Sequence, residues 1–376
     1  MRHGMQCVLD VLRGQVESRE IAEEEWLAAL SLAAEEQVLP LFVARLEQSG
    51  TRLPASVQTM VEDARRDAVI AGFFWKSELK GLLHEFDKAQ IPVIPLKGPS
   101  LAQRVYGAVA LRPSRDLDLL VQPDKFASAE DLLAQFGFVR NGRPGAYDTA
   151  WLRGTVKVEL HFDVSDPLEF DFDTPGAWKR AHRESFAGES SWQMAAEDEL
   201  LFLCLHGVRH QFERLSYIVD ISLAAQHFAE EVGPELNLRP EINRLTTHAL
   251  LGRAMVQRFN PAAPPVFRIA STARQQESME LLADELWQKL LTHSASKSGG
   301  WSVLRFYLRM EVRPLHKAAK QIVHLWILTT RMVESDFAFA ASLGFERSWQ
   351  ARILRPLRIL LAYRRKTTQV THPPGK

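Results

Sequence analysis

Asp116-Leu117-Asp118 opens the run Asp116 to Val121, and this run constrains the chain more than any other stretch. Carboxylates at i and i+2 with leucines between them read as a β-strand, which sends alternate side chains to opposite faces. Asp116 and Asp118 then share one face, while Leu117 and Leu119 point into a core. Two adjacent carboxylates raise each other's pKa unless a cation lies between them. The fitting cation is hard and divalent, Mg²⁺ with Mn²⁺ as its substitute, because such ions take oxygen ligands and keep substrate phosphates in their shell. Upstream, Lys97-Gly98-Pro99-Ser100 is a turn into a helix. Proline has no N–H to donate but suits the first helical turn. The helix entry, the Ser100 hydroxyl and the Lys97 charge therefore face an anion.

A third acid follows. Thr155 to Asp163 alternates strictly, with Val156, Val158, Leu160 and Phe162 on one face and Lys157, Glu159, His161 and Asp163 on the other. Paired beside the Asp116/Asp118 strand with apolar faces buried alike, this strand delivers Glu159 to the acidic cluster. Asp163 is a fallback on the same face. A phosphate-facing turn, an acidic pair and a third acid form the skeleton of a nucleotidyl-transfer site.

The surrounding chain reads as α+β. Residues 1–85 form an N-terminal helical region, with a turn at Ser49 to Pro54. Residues 86–192 hold a small mixed-sheet core. Ile91 to Leu96 is a short strand bounded by prolines, which suits an edge or a strand start. A helix over Pro99 to Tyr106 and the Asp116 strand follow. Pro123 to Phe136 is an amphipathic helix closed by Gly137. Phe138 to Arg140 and Tyr147 to Leu152 make a hairpin that leads into the Glu159 strand. The layout is strand–helix–strand–helix–meander with helices on one face. Residues 193–376 read as a C-terminal helical domain: one or two long helices over Ala195 to Phe228, then helices over 302–330 and 345–366.

Composition narrows the classes. The 46 basic and 46 acidic residues balance, which argues against a protein that coats nucleic acid non-specifically. Cys7 and Cys204 are too few for a disulfide framework, which suits a reducing cytoplasm. No segment is apolar enough to span a membrane.

The pattern Lys97-Gly98, Arg112…Asp116-x-Asp118 and Glu159-Leu160-His161 resembles an uncharacterised nucleotidyltransferase family of the polymerase-β-like nucleotidyltransferase superfamily. Trp26 to Leu46 is similar to that family's N-terminal helices, and His206 to His210 with Arg214, Leu215 and Asp220 to its second helical motif. Ser335-Asp336 with Arg355 to Arg358 resembles its C-terminal signature. Gly98-Pro99 departs from the Gly-Ser or Gly-Gly usual in the superfamily, which leaves one phosphate contact fewer. The resemblance implies a two-ion mechanism in which Asp116, Asp118 and Glu159 hold the metal. An NTP, expected to be ATP, would lie with its phosphates against Lys97, Gly98 and Ser100. NMP would pass to a hydroxyl or similar group of a small molecule or peptide, with release of pyrophosphate.

Arg112 suits either a carboxylate or a phosphate, because its planar fork binds both. His161 suits nucleotide contact, proton transfer or a structural role equally. His206 and His210 lie one helical turn apart, yet no third ligand stands at motif spacing, which favours packing or substrate-pocket roles over zinc. With Arg214 they are candidates for the acceptor side. Asp220 aligns with His206 if the helix runs unbroken, and it suits pairing with a histidine or with Arg214. From Arg347 onward there are eight Lys/Arg and no acid, a face that suits RNA or an acidic peptide. Two alternatives follow: a toxin-like nucleotidyltransferase acting on RNA or tRNA, and a non-catalytic nucleotide- or peptide-binding partner of a biosynthetic cluster.

Overall fold

The computed structural model describes residues 2–15, 21–165, 170, 172–232, 245–261 and 268–292, with 306, 309, 310, 339 and 341–344 beyond them. The chain divides into two compact units, Met1–Ala295 and Ser296–Lys376. The expected regions 1–85 and 86–192, and the beginning of 193–376, follow one another within the first unit. Of the helix expected over 302–330, residues 306, 309 and 310 are described, and they are helical. Ser335-Asp336, Arg355 to Arg358 and the basic terminal face lie outside the described residues.

Four helices lead the chain: α1 (Arg2–Arg13), α2 (Glu23–Glu35), α3 (Leu39–Ser49) and α4 (Ala55–Lys88). The turn expected at Ser49 to Pro54 separates α3 from α4, with Gly50 at φ +66 closing α3. Along α4, Leu79, Leu82, Leu83 and Phe86 recur at helical spacing, and this stripe faces the sheet.

The expected core follows: β1 (Val93–Pro95), α5 (Pro99–Val105), β2 (Leu117–Val121), α6 (Phe126–Gln135), β3 (Val139–Arg140), β4 (Asp148–Arg153) and β5 (Val156–His161). The sheet order is β1-β2-β5-β4-β3. Only the β2–β5 pair is parallel. β1 lies at the edge, where the proline of Val93-Ile94-Pro95 removes no interior ladder bond. Leu117, Leu119 and Val121 of β2 and Val156, Val158 and Leu160 of β5 all enter one buried cluster with the α4 stripe and with Ala129 and Leu133 of α6. The opposite face of the same strands carries Asp118, Glu159 and His161.

A second, two-stranded sheet of β6 (His182–Phe186) and β7 (Glu189–Gln193) follows a short α7 (Thr174–Arg180). Sequence patterning does not reveal it, because four of the five β6 residues are exposed and no apolar alternation marks the strand. Its turn, Ala187-Gly188, has positive φ at both residues, as a tight hairpin requires.

Four further helices complete the described part of this unit: α8 (Ala196–Arg209), α9 (Leu215–Val232), α10 (Thr246–Phe259) and α11 (Ala273–Leu291). The stretch from Ala195 to Phe228 is two helices, so Asp220 does not align with His206 along an unbroken axis. The break falls at Gln211 and Phe212, both at positive φ. The Phe212 ring folds back over Gly207, where a Cβ would meet it at 2.4 Å. Glu36 anchors the start of α9: its carboxylate accepts from the Leu215 N–H at 2.6 Å and its carbonyl from the Ser216 N–H at 3.2 Å. A negative group at a helix N-terminus satisfies orphan donors and complements the dipole.

Gly72 of α4 faces the 3₁₀ turn Val109–Leu111, where a Cβ would lie 2.8 Å from the Ala110 Cα. Gly81, two and a half turns on, has only the Phe136 ring tip at 3.8 Å. Gly81→Ala should therefore stabilise by up to about 1 kcal/mol, as a helix-interior alanine does. Gly72→Ala should instead destabilise by about 1–3 kcal/mol through overpacking against backbone. Urea denaturation of the two variants checks the opposite signs.

Candidate active site

Parallel pairing of β2 with β5 sets Asp118 opposite Glu159 and Leu120 opposite His161. The period of two then places Asp118, Glu159 and His161 on one face. Asp118 is 5 % exposed and His161 4 %. His161 Nε2 stands 3.4 Å from Asp118 Oδ1 and 3.8 Å from Glu159 Oε2. Lys97, just before α5, brings its Nζ to 3.1 Å from Asp118 Oδ2. Lys157 pairs with Glu159 from the same strand.

Asp118, Glu159 and His161 each offer one ligand atom, all within 4.8 Å of one another. Asp116 of the expected ligand set stands just ahead of β2, half-buried, and is not part of that trio. Asp118 Oδ2 is buried against the Lys97 ammonium, and His161 Nδ1 is buried with no hydrogen-bond partner while Nε2 faces the two carboxylates. Buried polar atoms are ordinarily satisfied, so a donor set of two carboxylates and an imidazole fits a divalent ion.

The charges in this pocket are mutually dependent. Burial opposes ionisation of Asp118, but Lys97 and then His161 outweigh it and hold the carboxyl well below its usual range. Burial likewise works against the Lys97 charge, and Asp118 and Asp116 reverse the sign and raise its pKa. Asp116 moves the other way, raised by burial and by the Asp118 charge. Neighbouring carboxyls pushed apart in pKa are a mark of functional sites.

The turn before α5 has Gly98 at φ +67 with Pro99 and Ser100 in the first helical turn. A Cβ there would find ordinary contacts at 3.6 Å, so the left-handed backbone rather than space requires glycine.

Arg112 is turned to a carboxylate. Its Nε and Nη2 each donate to Asp220 at 2.8 Å in a bidentate pair, and the Tyr106 hydroxyl donates to the same carboxylate. Asp220 is 1 % exposed. Burial would lower the Arg112 pKa, but Asp220 overrides it and the guanidinium stays charged. Asp220 thus pairs with Arg112 from across the fold rather than with a histidine or Arg214. Arg214 instead lies beside the Gln37 amide, which accepts from it and from Arg115 when its oxygen is turned toward the two guanidiniums. Asp163, the fallback acid, takes a loop role: its Oδ1 accepts from the Val164 N–H at 2.7 Å and from the Thr174 hydroxyl.

The histidines of α8 form an aromatic cluster. The His206 and His210 rings are 4.8 Å apart, and His210 stacks on Tyr217 at 5.1 Å. Among the described residues neither belongs to a group of metal-ligand type. Burial, then Lys97, holds His206 well below its usual pKa. Burial, then Arg209 and Lys97, lowers His210 to about 4. Lys157, Tyr106, Tyr147 and Tyr217 were not singled out in the sequence. Lys157 was legible as a same-face neighbour of Glu159, whereas no local pattern marks the tyrosines.

Two predictions follow from these charges. Asp220→Ala leaves the Arg112 guanidinium buried and unpaired, and it should cost about 3–5 kcal/mol by urea denaturation. With folded His210 at about 4 and an exposed histidine near 6.5, the unfolded chain takes up the proton first. Stability is then full above about pH 6.5 and falls as pH drops from there toward 4, by on the order of 2 kcal/mol from this residue. Thermal midpoints of wild type and His210→Asn, compared at pH 7 and pH 5, should show a smaller drop in the variant.

Three solved structures show low similarity. The antigenic nucleotidyltransferase-like protein from Paracoccidioides brasiliensis matches at 18 % identity and TM-score 0.37, over 50 % of this chain and 88 % of that one. The antibiotic-resistance factor ANT(2'')-Ia in solution matches at 14 % and 0.34, over 42 % and 85 %. ANT(2'')-Ia in complex with adenylyl-2''-tobramycin matches at 15 % and 0.33, over 42 % and 90 %. No curated protein matches. The sequence profile described as uncharacterised nucleotidyltransferase matches residues 22–259, more than half of the chain and all of the strand face just described, and the protein belongs to that family.

Proposed function

We propose that the protein is a metal-dependent nucleotidyltransferase that moves AMP from ATP to a hydroxyl of a small molecule or peptide and releases pyrophosphate. Family membership supports nucleoside monophosphate transfer in general. The observation that carries the finer reading is the buried Asp118 carboxylate opposite the half-buried Glu159, with Lys97 at 3.1 Å from Asp118. A carboxylate pair that fits a hard cation, beside a lysine able to meet phosphate, is the donor set this reaction needs.

In this reading Lys97, Gly98 and Ser100 receive the β- and γ-phosphates. Asp118 and Glu159, with Asp116 at the entrance, would hold Mg²⁺, which when bound supplies charge neutralisation at the α-phosphate. The acceptor oxygen attacks the α-phosphorus, the bond to the bridging oxygen of the β-phosphate breaks, and pyrophosphate departs. Glu159 takes the acceptor proton; its exposure is greater than that of Asp118, so it is the carboxylate an incoming hydroxyl can reach. Arg112 acts through Asp220 and orders the approach to β2. His206, His210 and Arg214 border the acceptor side. The RNA alternative drew on the basic residues from Arg347 onward, which lie outside the described residues. The non-catalytic alternative is disfavoured by the cost of keeping a buried Asp118 beside Glu159, a pair whose mutual repulsion a divalent ion relieves further than Lys97 and Lys157 do.

Asp118→Asn should lower transfer by roughly a thousandfold or more, the scale of several kcal/mol of charge stabilisation, while the far-ultraviolet circular dichroism is unchanged. Calorimetry with the four NTPs and Mg²⁺ should find one tight nucleotide for wild type and none for Asp116→Asn/Asp118→Asn. Full transfer activity in Asp118→Asn overturns the assignment.

A further inference from the structure

We propose that His161 is a nitrogen ligand of the ion in the Asp118–Glu159 site and biases that site toward Mn²⁺ over Mg²⁺. The presence of an ion there rests on the nucleotidyltransferase reading above; the nitrogen ligand is a separate claim about this chain. Three observations carry it. His161 offers a ligand atom within 4.8 Å of those of both Asp118 and Glu159, and Asp116 does not join them. The ring is 4 % exposed, and its Nε2 faces the two carboxylates at 3.4 and 3.8 Å, longer than a well-formed hydrogen bond. A histidine kept only for packing would have its ring nitrogens satisfied. Finally, Tyr147 lies nearly parallel to the ring, with 5.8 Å between centroids and 24° between planes, and so limits its rotation.

The two nitrogens differ in use. Nε2 is the atom directed at the carboxylates, 3.4 Å from Asp118 Oδ1. Ligation through Nε2 leaves the ring proton on Nδ1. An all-oxygen set suits Mg²⁺, whereas an imidazole strengthens binding of transition-metal ions more than of Mg²⁺. An imidazole from His161 beside the carboxylate oxygens therefore shifts ion preference without altering the sheet that presents it.

The experiment is a Mn²⁺ titration of the full chain read by electron paramagnetic resonance of the free ion, with Mg²⁺ measured by competition. Wild type should bind Mn²⁺ about tenfold or more tightly than Mg²⁺, and removing a directly bonded imidazole should cost at least the ~10–100-fold typical of disturbed metal sites. Electron spin-echo modulation of bound Mn²⁺ should show an imidazole nitrogen, and His161→Gln should abolish that signal. His161→Asp should restore tight ion binding with the Mn²⁺ preference reduced to within about threefold. Absence of nitrogen modulation in wild type, or its persistence in His161→Gln, overturns the proposal. Loss of Mn²⁺ binding in Asp118→Asn without nitrogen modulation in wild type defeats His161 alone. Unchanged Mn²⁺ binding in Asp118→Asn removes the ion from this site and defeats both readings.

Discussion

The parallel pairing of β2 and β5 is the constraint on which the rest of the site depends. Its register sets Asp118 opposite Glu159 while the leucines and valines between them fill the core below. A slip of one residue would turn the carboxylates into that core and the leucines into the pocket. The hydrophobic pattern of both strands therefore specifies the chemistry of the opposite face. The same burial that fixes the register makes the negative charge costly, and Lys97 and Lys157 offset it. The cluster is thus a charge-balanced pocket whose cations and anions each need the others.

A second buried ion pair ties this sheet to the helices that follow. Arg112 lies between α5 and β2, and Asp220 lies on α9, more than a hundred residues later. Glu36, at the end of α2, holds the first N–H groups of the same helix. The N-terminal helices, the sheet and α9 are therefore joined at two polar contacts with little access to water. Such contacts add little net stability but penalise misalignment heavily, because separating Arg112 from Asp220 strands two buried charges and separating Glu36 from α9 leaves backbone N–H groups without that acceptor. They position α9, which carries Tyr217 beside the α8 histidines.

The arrangement also separates roles among similar residues. Asp116 and Asp118 are two apart in sequence, yet their ionisation is pushed in opposite directions: Lys97 and His161 outweigh burial at Asp118, whereas burial and the Asp118 charge outweigh Lys97 at Asp116. His161 is buried and His206 half-buried, and one faces carboxylates while the other faces a ring cluster. Environment, rather than residue type, assigns each its chemistry.

Asp118 joins Glu159 and His161 only through the β2–β5 pairing. Periodicity, however, read the helical first 85 residues, the order of elements in the core and the shared face of Glu159 and His161, and the flanking prolines suited β1 to an edge or a strand start. These features are local, and a two- or three-residue period states them directly. The β6–β7 hairpin was not legible, because most of β6 is exposed on both faces and leaves no alternation to read. The break between α8 and α9 depends on the Phe212 ring reaching Gly207, a contact that helical periodicity does not encode. Only the tertiary structure decided that Arg112 meets Asp220, that Asp163 serves a loop, and that His161 rather than Asp116 joins the tight donor group. Those outcomes depend on which distant segments come together, and pairing across a hundred residues leaves no trace in local spacing.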